Sequence, residues 1–325
     1  MKTCSRSLSF SLLLAGCAMG ASYSVSDTFQ GSSFFSGFTF EAEADPTHGR
    51  VNYVSQSTAQ SLGLATVSGS NFILRADDTT VLSSSGPGRN SFRLQSNNQY
   101  GTHVSVFNVE HMPQGCGTWP AIWELGPNWP NGGEVDILEG VNDEAPNTST
   151  LHTSAGNTHA SLVLPGCTMP ASRTETGTPT NNDCNAADDN NAGCGVQTSG
   201  GNNYGPGFNN NGGGWYAMER TSSFVKVWFW ARNDGSVPSD VQSGAGSVDT
   251  DNWGTPDAYF PNTDCDIASH FQASNIIINL TFCGDWAGNV YSSSGCPDDC
   301  TTYVNNNPGA FSNAYFEFAW VKVYE

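Results

Sequence analysis

Ten short runs rich in β-branched and aromatic residues recur along this chain, and Gly, Asn and Pro separate them. They fall at 38–43, 72–76, 91–95, 102–111, 134–139, 149–153, 215–221, 224–232, 275–282 and 314–324. The run Phe224-Val225-Lys226-Val227-Trp228-Phe229-Trp230 alternates with period two, as a strand buried on one face does. Helical periodicity is confined to a turn or two at 266–271 and 301–305. Many strands joined by Gly/Pro-rich turns predict an all-β sandwich or barrel. Neither a linker nor a break in composition divides the chain, so residues 21–325 read as a single domain. The Asn/Gly-rich stretch 177–214 is long for a loop, and such loops are usually functional or tied down. It could wall a groove or be a surface insertion.

The chemistry concentrates in Gly132-Gly133-Glu134-Val135-Asp136-Ile137-Leu138-Glu139-Gly140. On a regular strand Glu134 and Asp136 share a face, whereas Glu139, an odd step away, points to the other side. A β-bulge within Ile137-Leu138 adds one residue and returns Glu139 to the side of the other two. A helix does no better, because five residues at ~100° each leave the glutamates roughly 140° apart. Two carboxylates on one surface are what retaining glycoside cleavage requires, one attacking the anomeric carbon and one protonating the leaving oxygen. Asp136 between them would couple to their titration. The alternative is an acidic edge strand facing solvent.

Lys2 and Arg6 precede an apolar run over 8–18, followed by small residues. This reads as a secretory signal peptide over residues 1–20. Leu14-Ala15-Gly16-Cys17 also fits a lipid-attachment box, the alternative fate for that segment. With 30 Asp+Glu against 11 Lys+Arg and a net charge of -19, nucleic acid and anionic membranes are poor partners. The charge suits an uncharged polymer and a secreted, extracellular monomer. Ten Cys become eight once Cys4 and Cys17 leave with the leader, which predicts up to four disulfides in an oxidising compartment. Cys184–Cys194 and Cys296–Cys300 would close the shortest loops. No metal and no cofactor is expected. Asn147-Thr148-Ser149 and Asn279-Leu280-Thr281 fit the glycosylation pattern, with Asn147 in a loop the better acceptor and Asn279 shielded inside a strand.

Upstream of the acids lie Cys116-Gly117-Thr118-Trp119-Pro120-Ala121-Ile122-Trp123-Glu124 and Trp129-Pro130-Asn131. Indole faces stack on sugar rings, although a single Trp is more often core. With these residues the chain resembles the fungal laminarinase-type endo-1,3(4)-β-glucanases of glycoside hydrolase family 16. The family signature Glu-x-Asp-x-x-Glu stands as Glu134-Val135-Asp136-Ile137-Leu138-Glu139. Further likenesses are Asp45-Pro46-Thr47-His48-Gly49, Met112-Pro113-Gln114-Gly115-Cys116-Gly117-Thr118-Trp119-Pro120 and Phe282-Cys283-Gly284-Asp285-Trp286-Ala287-Gly288.

The resemblance implies a curved jelly roll of two antiparallel sheets with a concave groove that takes β-glucan. It implies Glu134 as nucleophile, Glu139 as acid/base and Asp136 as the aspartate assisting the nucleophile. It further implies His152 at the centre, with Arg93, Trp123, Trp129 and Trp286 as sugar contacts. Trp119 matches as well but reads as core. Two other functions fit the same fold, a glucan transglycosylase and a lectin-like glucan-binding module. A serine hydrolase does not, because the chain has no Gly-x-Ser-x-Gly.

Overall fold

The computed structural model describes residues 21–325 apart from 157, 160, 161, 164 and 165. The leader expected over residues 1–20 lies outside them. Seventeen strands build two large antiparallel sheets. In chain order they are β1 (Ser22–Phe29), β2 (Phe38–Phe40), β3 (Ala65–Ser68), β4 (Asn71–Arg75), β5 (Arg93–Ser96), β6 (His103–His111), β7 (Thr118–Leu125), β8 (Glu134–Glu139) and β9 (Thr148–His152). Then follow β10 (Thr178–Pro179), β11 (Cys194–Gln197), β12 (Gly214–Arg220), β13 (Phe224–Ala231), β14 (Ser247–Asp249), β15 (Ala258–Pro261), β16 (Asn275–Phe282) and β17 (Tyr315–Tyr324). The larger sheet runs β14-β1-β17-β6-β12-β13-β15, with β4 also on β17 and β3 on β4. The smaller runs β10-β11-β9-β8-β7-β16-β5-β2. Strands distant in sequence lie side by side, as a jelly roll requires.

Period-two alternation decides which residues meet between the sheets. From β16, Ile276, Ile278, Leu280 and Phe282 enter the main core, while Asn279 turns to the outer face. From the larger sheet, Val225 and Val227 of β13 enter the same core. Trp228 and Trp230, one step out of phase, join a second cluster with Trp215 and Trp320, covered by Val241, Val248 and Trp253. The larger sheet is therefore covered on both faces. The smaller sheet keeps an open outer face, and the acidic strand β8 lies within it.

A buried ion triad crosses the core beside that strand. Glu124 projects inward from β7 and takes His103 Nε2 at 2.7 Å and Arg220 Nε at 3.2 Å. Burial would raise the Glu124 carboxyl, but His103 and Arg220 outweigh it and hold it below its ordinary value. The triad pins β7, the neighbour of β8, to β6 and β12 of the larger sheet.

Helices are short. Ile267–His270 and Cys300–Asn306 stand where the sequence invites them, and the Asp299 side chain caps the second by accepting from Thr302 N–H at 3.0 Å. No helix among the described residues is long and apolar enough to cross a membrane. The stretch 177–214 is less of a loop than expected, since β10, β11 and the helix Gly205–Asn210 lie in it.

Among the described residues four disulfides form: Cys116–Cys296, Cys167–Cys265, Cys184–Cys194 and Cys283–Cys300. The expected Cys184–Cys194 link is present. Cys296–Cys300 is wrong: Cys300 opens a helix and turns its sulfur to Cys283 at the end of β16, which leaves Cys296 to reach Cys116. Strand β7 is not among the expected runs, and it carries Pro120, a residue uncommon in a central strand. Here Pro120 stands opposite Leu280, which needs no N–H from it: the Leu280 carbonyl accepts from Ser91 Oγ at 2.7 Å, and the Leu280 N–H donates to Phe92 O.

Candidate active site

Strand β8 pairs with β7 in a register that shifts between Asp136 and Leu138. Asp136 stands opposite Trp123, and Glu139, three residues on, stands opposite Ala121, only two residues away on β7. The extra residue is the bulge, and Ile137 and Leu138 are both fully buried in the core. Glu134, opposite Leu125, therefore shares the outer face with Asp136 and Glu139. On the other flank His152 of β9 lies opposite Glu134.

Each glutamate is held by an indole. Trp129 Nε1 donates to Glu134 Oε2, and Trp119 Nε1 donates to Glu139 Oε1 at 2.9 Å. Trp129 is 46% exposed. Trp119 is half-buried and meets Trp286 edge-on, with ring centroids 5.7 Å apart. The reading of Trp119 as core is thus corrected. In β7, residues 119, 121 and 123 share one face by period two, a signal masked in the sequence by Pro120.

His152 links the acids. Its Nε2 lies 3.3 Å from Asp136 Oδ2 and 4.0 Å from Glu134 Oε1. Its Nδ1 donates to Asn191 Oδ1 at 2.9 Å. Asn191 belongs to the loop closed by Cys184–Cys194, so part of the stretch 177–214 does wall the site. Burial alone would depress the imidazole, but Glu134, Asp136 and Glu139 around it push it up to about 10. Burial, with Asp136 beside it, pushes the Glu134 carboxyl up to about 7 against the pull of His152, the Trp129 bond and Arg93. The same two causes raise Glu139 well above its ordinary value, opposed by the Trp119 bond and His152. Glu134 has the richer set of cations and donors working against that rise.

Away from the acids, Arg93 lies with its guanidinium 5.1 Å from the centre of the Trp123 ring. Glu41 at 2.8 Å and Glu43 at 3.3 Å hold it there. Trp123 Nε1 donates to Asn279 Oδ1 at 2.7 Å, and Asn279 Nδ2 to the Tyr53 hydroxyl at 3.2 Å. Beyond Glu139 a pocket of about 300 Å³ opens, lined by Gly140, Val141, Thr148, Gln197 and Trp286 among others. The eight residues singled out in the sequence thus fall into three contacting groups: Glu134–Asp136–His152–Trp129, Glu139 with Trp286 through Trp119, and Arg93–Trp123. Sequence reasoning passed over Glu41, Tyr53 and Asn191 and saw Asn279 only as a glycosylation acceptor. Among the described residues, donor atoms of Glu134, Asp136 and His152 lie within 4.8 Å of one another and could take a cation.

Asn147, ranked by its sequence as the better glycan acceptor, is not in an open loop. Its side chain is fully buried, and its amide nitrogen donates to Ile137 O and Thr198 Oγ1. Asn279 is buried too, but facing the groove.

The description "XgeA-like, catalytic GH16 domain" matches residues 38–324. A probable glycosidase of Schizosaccharomyces pombe is 43% identical over 93% of this chain and 69% of its own length. A probable endo-1,3(4)-beta-glucanase of Aspergillus niger is 42% identical over 95% of this chain but only 41% of its own, so the chain spans less than half of that relative. Among solved structures, GH16 laminarinase 16A from Phanerochaete chrysosporium superposes with a TM-score of 0.90 at 62% identity, covering 94% of this chain and 100% of that one. It was solved with 6-O-glucosyl-laminaritriose in both donor and acceptor sites. An elongating GH family 16 beta-1,3-glucosyltransferase gives 0.84 at 38% identity, covering 93% of this chain and 100% of that one. With a bulged Glu-x-Asp-x-x-Glu strand on the open face of a jelly roll and a family match over most of its length, the chain belongs to glycoside hydrolase family 16, among the laminarinase-type endo-1,3(4)-β-glucanases.

Proposed function

We propose that this is a secreted, single-domain, monomeric enzyme that hydrolyses β-1,3 and mixed β-1,3/1,4 glucans by double displacement, with retention at the anomeric carbon. One observation carries the reading: the bulge brings Glu134 and Glu139 to one face, each held by an indole N–H. Glu134, with His152, Arg93 and Trp129 favouring its charge, attacks the anomeric carbon. Glu139, its carboxyl raised by burial and by Asp136, carries the proton and gives it to the glycosidic oxygen as the C–O bond breaks. A glycosyl ester on Glu134 results. Glu139, now a carboxylate, takes a proton from water, which attacks the ester and releases the sugar with its configuration unchanged. Asp136 and His152 balance charge beside Glu134. Trp123 and Arg93 offer a flat donor-side surface, and the pocket by Trp286 lies on the leaving-group side of Glu139. The four disulfides fit an oxidising, extracellular destination.

The test follows anomeric proton signals during digestion of laminarin and lichenan. The β-anomer should accumulate first and then mutarotate. Initial α-anomer, or no release from either glucan, contradicts the reading. The likeness to an elongating β-1,3-glucosyltransferase favours a second reading in which a glucan, not water, accepts the glycosyl group. Products longer than the starting oligosaccharide would mark that activity.

A further inference from the structure

We propose that Asn147 is a positioning residue for Glu139, replacing the strand partner that β8 lacks once its ladder to β9 ends. The ladder between β8 and β9 runs Glu134 to His152, Val135 to Leu151 and Asp136 to Thr150, and stops there. Past that point the Ile137 carbonyl and the Glu139 N–H have no β9 backbone to meet. One side chain serves both: Asn147 Oδ1 accepts from Glu139 N–H at 2.8 Å, and Asn147 Nδ2 donates to Ile137 O at 3.2 Å. Ser149 Oγ donates to the same carbonyl at 3.1 Å.

The clamp is itself fixed. The second Nδ2 hydrogen goes to Thr198 Oγ1 at 3.1 Å, and the Asn147 backbone donates to Asn203 Oδ1 at 2.9 Å. Thr198 N–H returns to Asn147 O at 2.8 Å. An amide is the group that fits, because it accepts once and donates twice. A carboxylate would keep the acceptor, lose both donors and set a negative charge against a carboxyl that must stay protonated. Glu139 is therefore held at two points, its backbone by Asn147 and its carboxyl by Trp119. The Asn-x-Ser sequence at 147–149 serves the bulge in the folded chain, and a glycan on Nδ2 would displace it.

The inference rests on Glu139 being the proton donor, and the experiment separates the two claims. kcat/KM is measured on a laminari-oligosaccharide, whose leaving group needs a proton, and on a 2,4-dinitrophenyl β-laminarioside, whose leaving group does not. Asn147→Ala should lose about 10²-fold on the first, the scale of a ~1 Å misplacement of a catalytic group, and stay within about threefold on the second. Ser149→Ala should show the same split at a few-fold. Asn147→Asp should also move the alkaline limb of the profile to higher pH. Equal losses on both substrates, or no loss on either, overturn the proposal. If Asn147→Ala does not fold, Ser149→Ala and Thr198→Val decide by the same split. Glu139→Gln is the control for the underlying assignment: without a large split there, Glu139 is not the donor and the proposal falls with it.

Discussion

The two ends of strand β8 solve opposite problems with similar parts. At its start the ladder is regular on both sides, and Glu134 inherits its direction from ordinary pairing with β7 and β9. At its end the ladder to β9 has gone, and Glu139 is aimed by side chains instead. Each glutamate accepts an indole N–H, yet one indole is exposed and the other is braced against Trp286. The neighbours differ as well. His152 and Trp129 contact Glu134 and, with Arg93 farther off, favour its charge, while burial and Asp136 raise the carboxyl of Glu139, which has fewer such groups. In the proposed mechanism, two identical residues become nucleophile and acid through their surroundings.

That contrast can be broken in steps. The largest effect is expected from Glu134→Ser, which should lower turnover of laminarin by about 10⁴-fold or more while oligosaccharide binding by calorimetry survives. Near-normal turnover would count heavily against the assignment. Next is His152→Asn, which removes the cation nearest Glu134. About a 10–100-fold loss is expected, with the acidic limb of kcat/KM moving to higher pH because the Glu134 carboxyl then ionises later. An unmoved limb would mean that His152 does not tune Glu134.

The indoles sharpen the comparison. Trp129→Phe removes a bond that favours the charge on Glu134, so the acidic limb should rise. Trp119→Phe does the same to Glu139, so the alkaline limb should rise instead. Both should cost only a few-fold in rate; movement of the same limb in both would erase the distinction drawn here. The smallest effect concerns stability. Folding raises the Glu139 carboxyl above its ordinary 4.5, so the folded state binds that proton more tightly than the unfolded one and loses stability as pH climbs past 4.5. Glu139→Gln should therefore melt a few degrees higher at neutral pH, with the gain fading below about pH 4.5, where both states carry the proton.

Much of this was legible in the residues because it rests on parity. The odd step from Glu134 to Glu139 demands one extra residue in a strand, and the register of β8 against β7 supplies it. The runs rich in β-branched and aromatic residues mark ten of the strands, since that preference is local. What sequence could not give depends on partners far along the chain. Cys300 lies four residues from Cys296 but bonds to Cys283, because a helix start sets its direction. Asn147 reads as a loop glycosylation acceptor until the missing stretch of ladder reveals what its amide does. Strand β7 carries Pro120, which has no N–H for the ladder, and the Leu280 carbonyl opposite it is served by the hydroxyl of Ser91, a residue far off in sequence. With β7 went Trp119, the indole that holds the acid.

The division of labour along β8 is most directly tested by trapping the glycosyl-enzyme. A 2-deoxy-2-fluoro laminarioside with a good leaving group should inactivate the enzyme, and peptide mapping should find the sugar esterified to Glu134. A label on Glu139, or on a residue outside β8, would contradict the account.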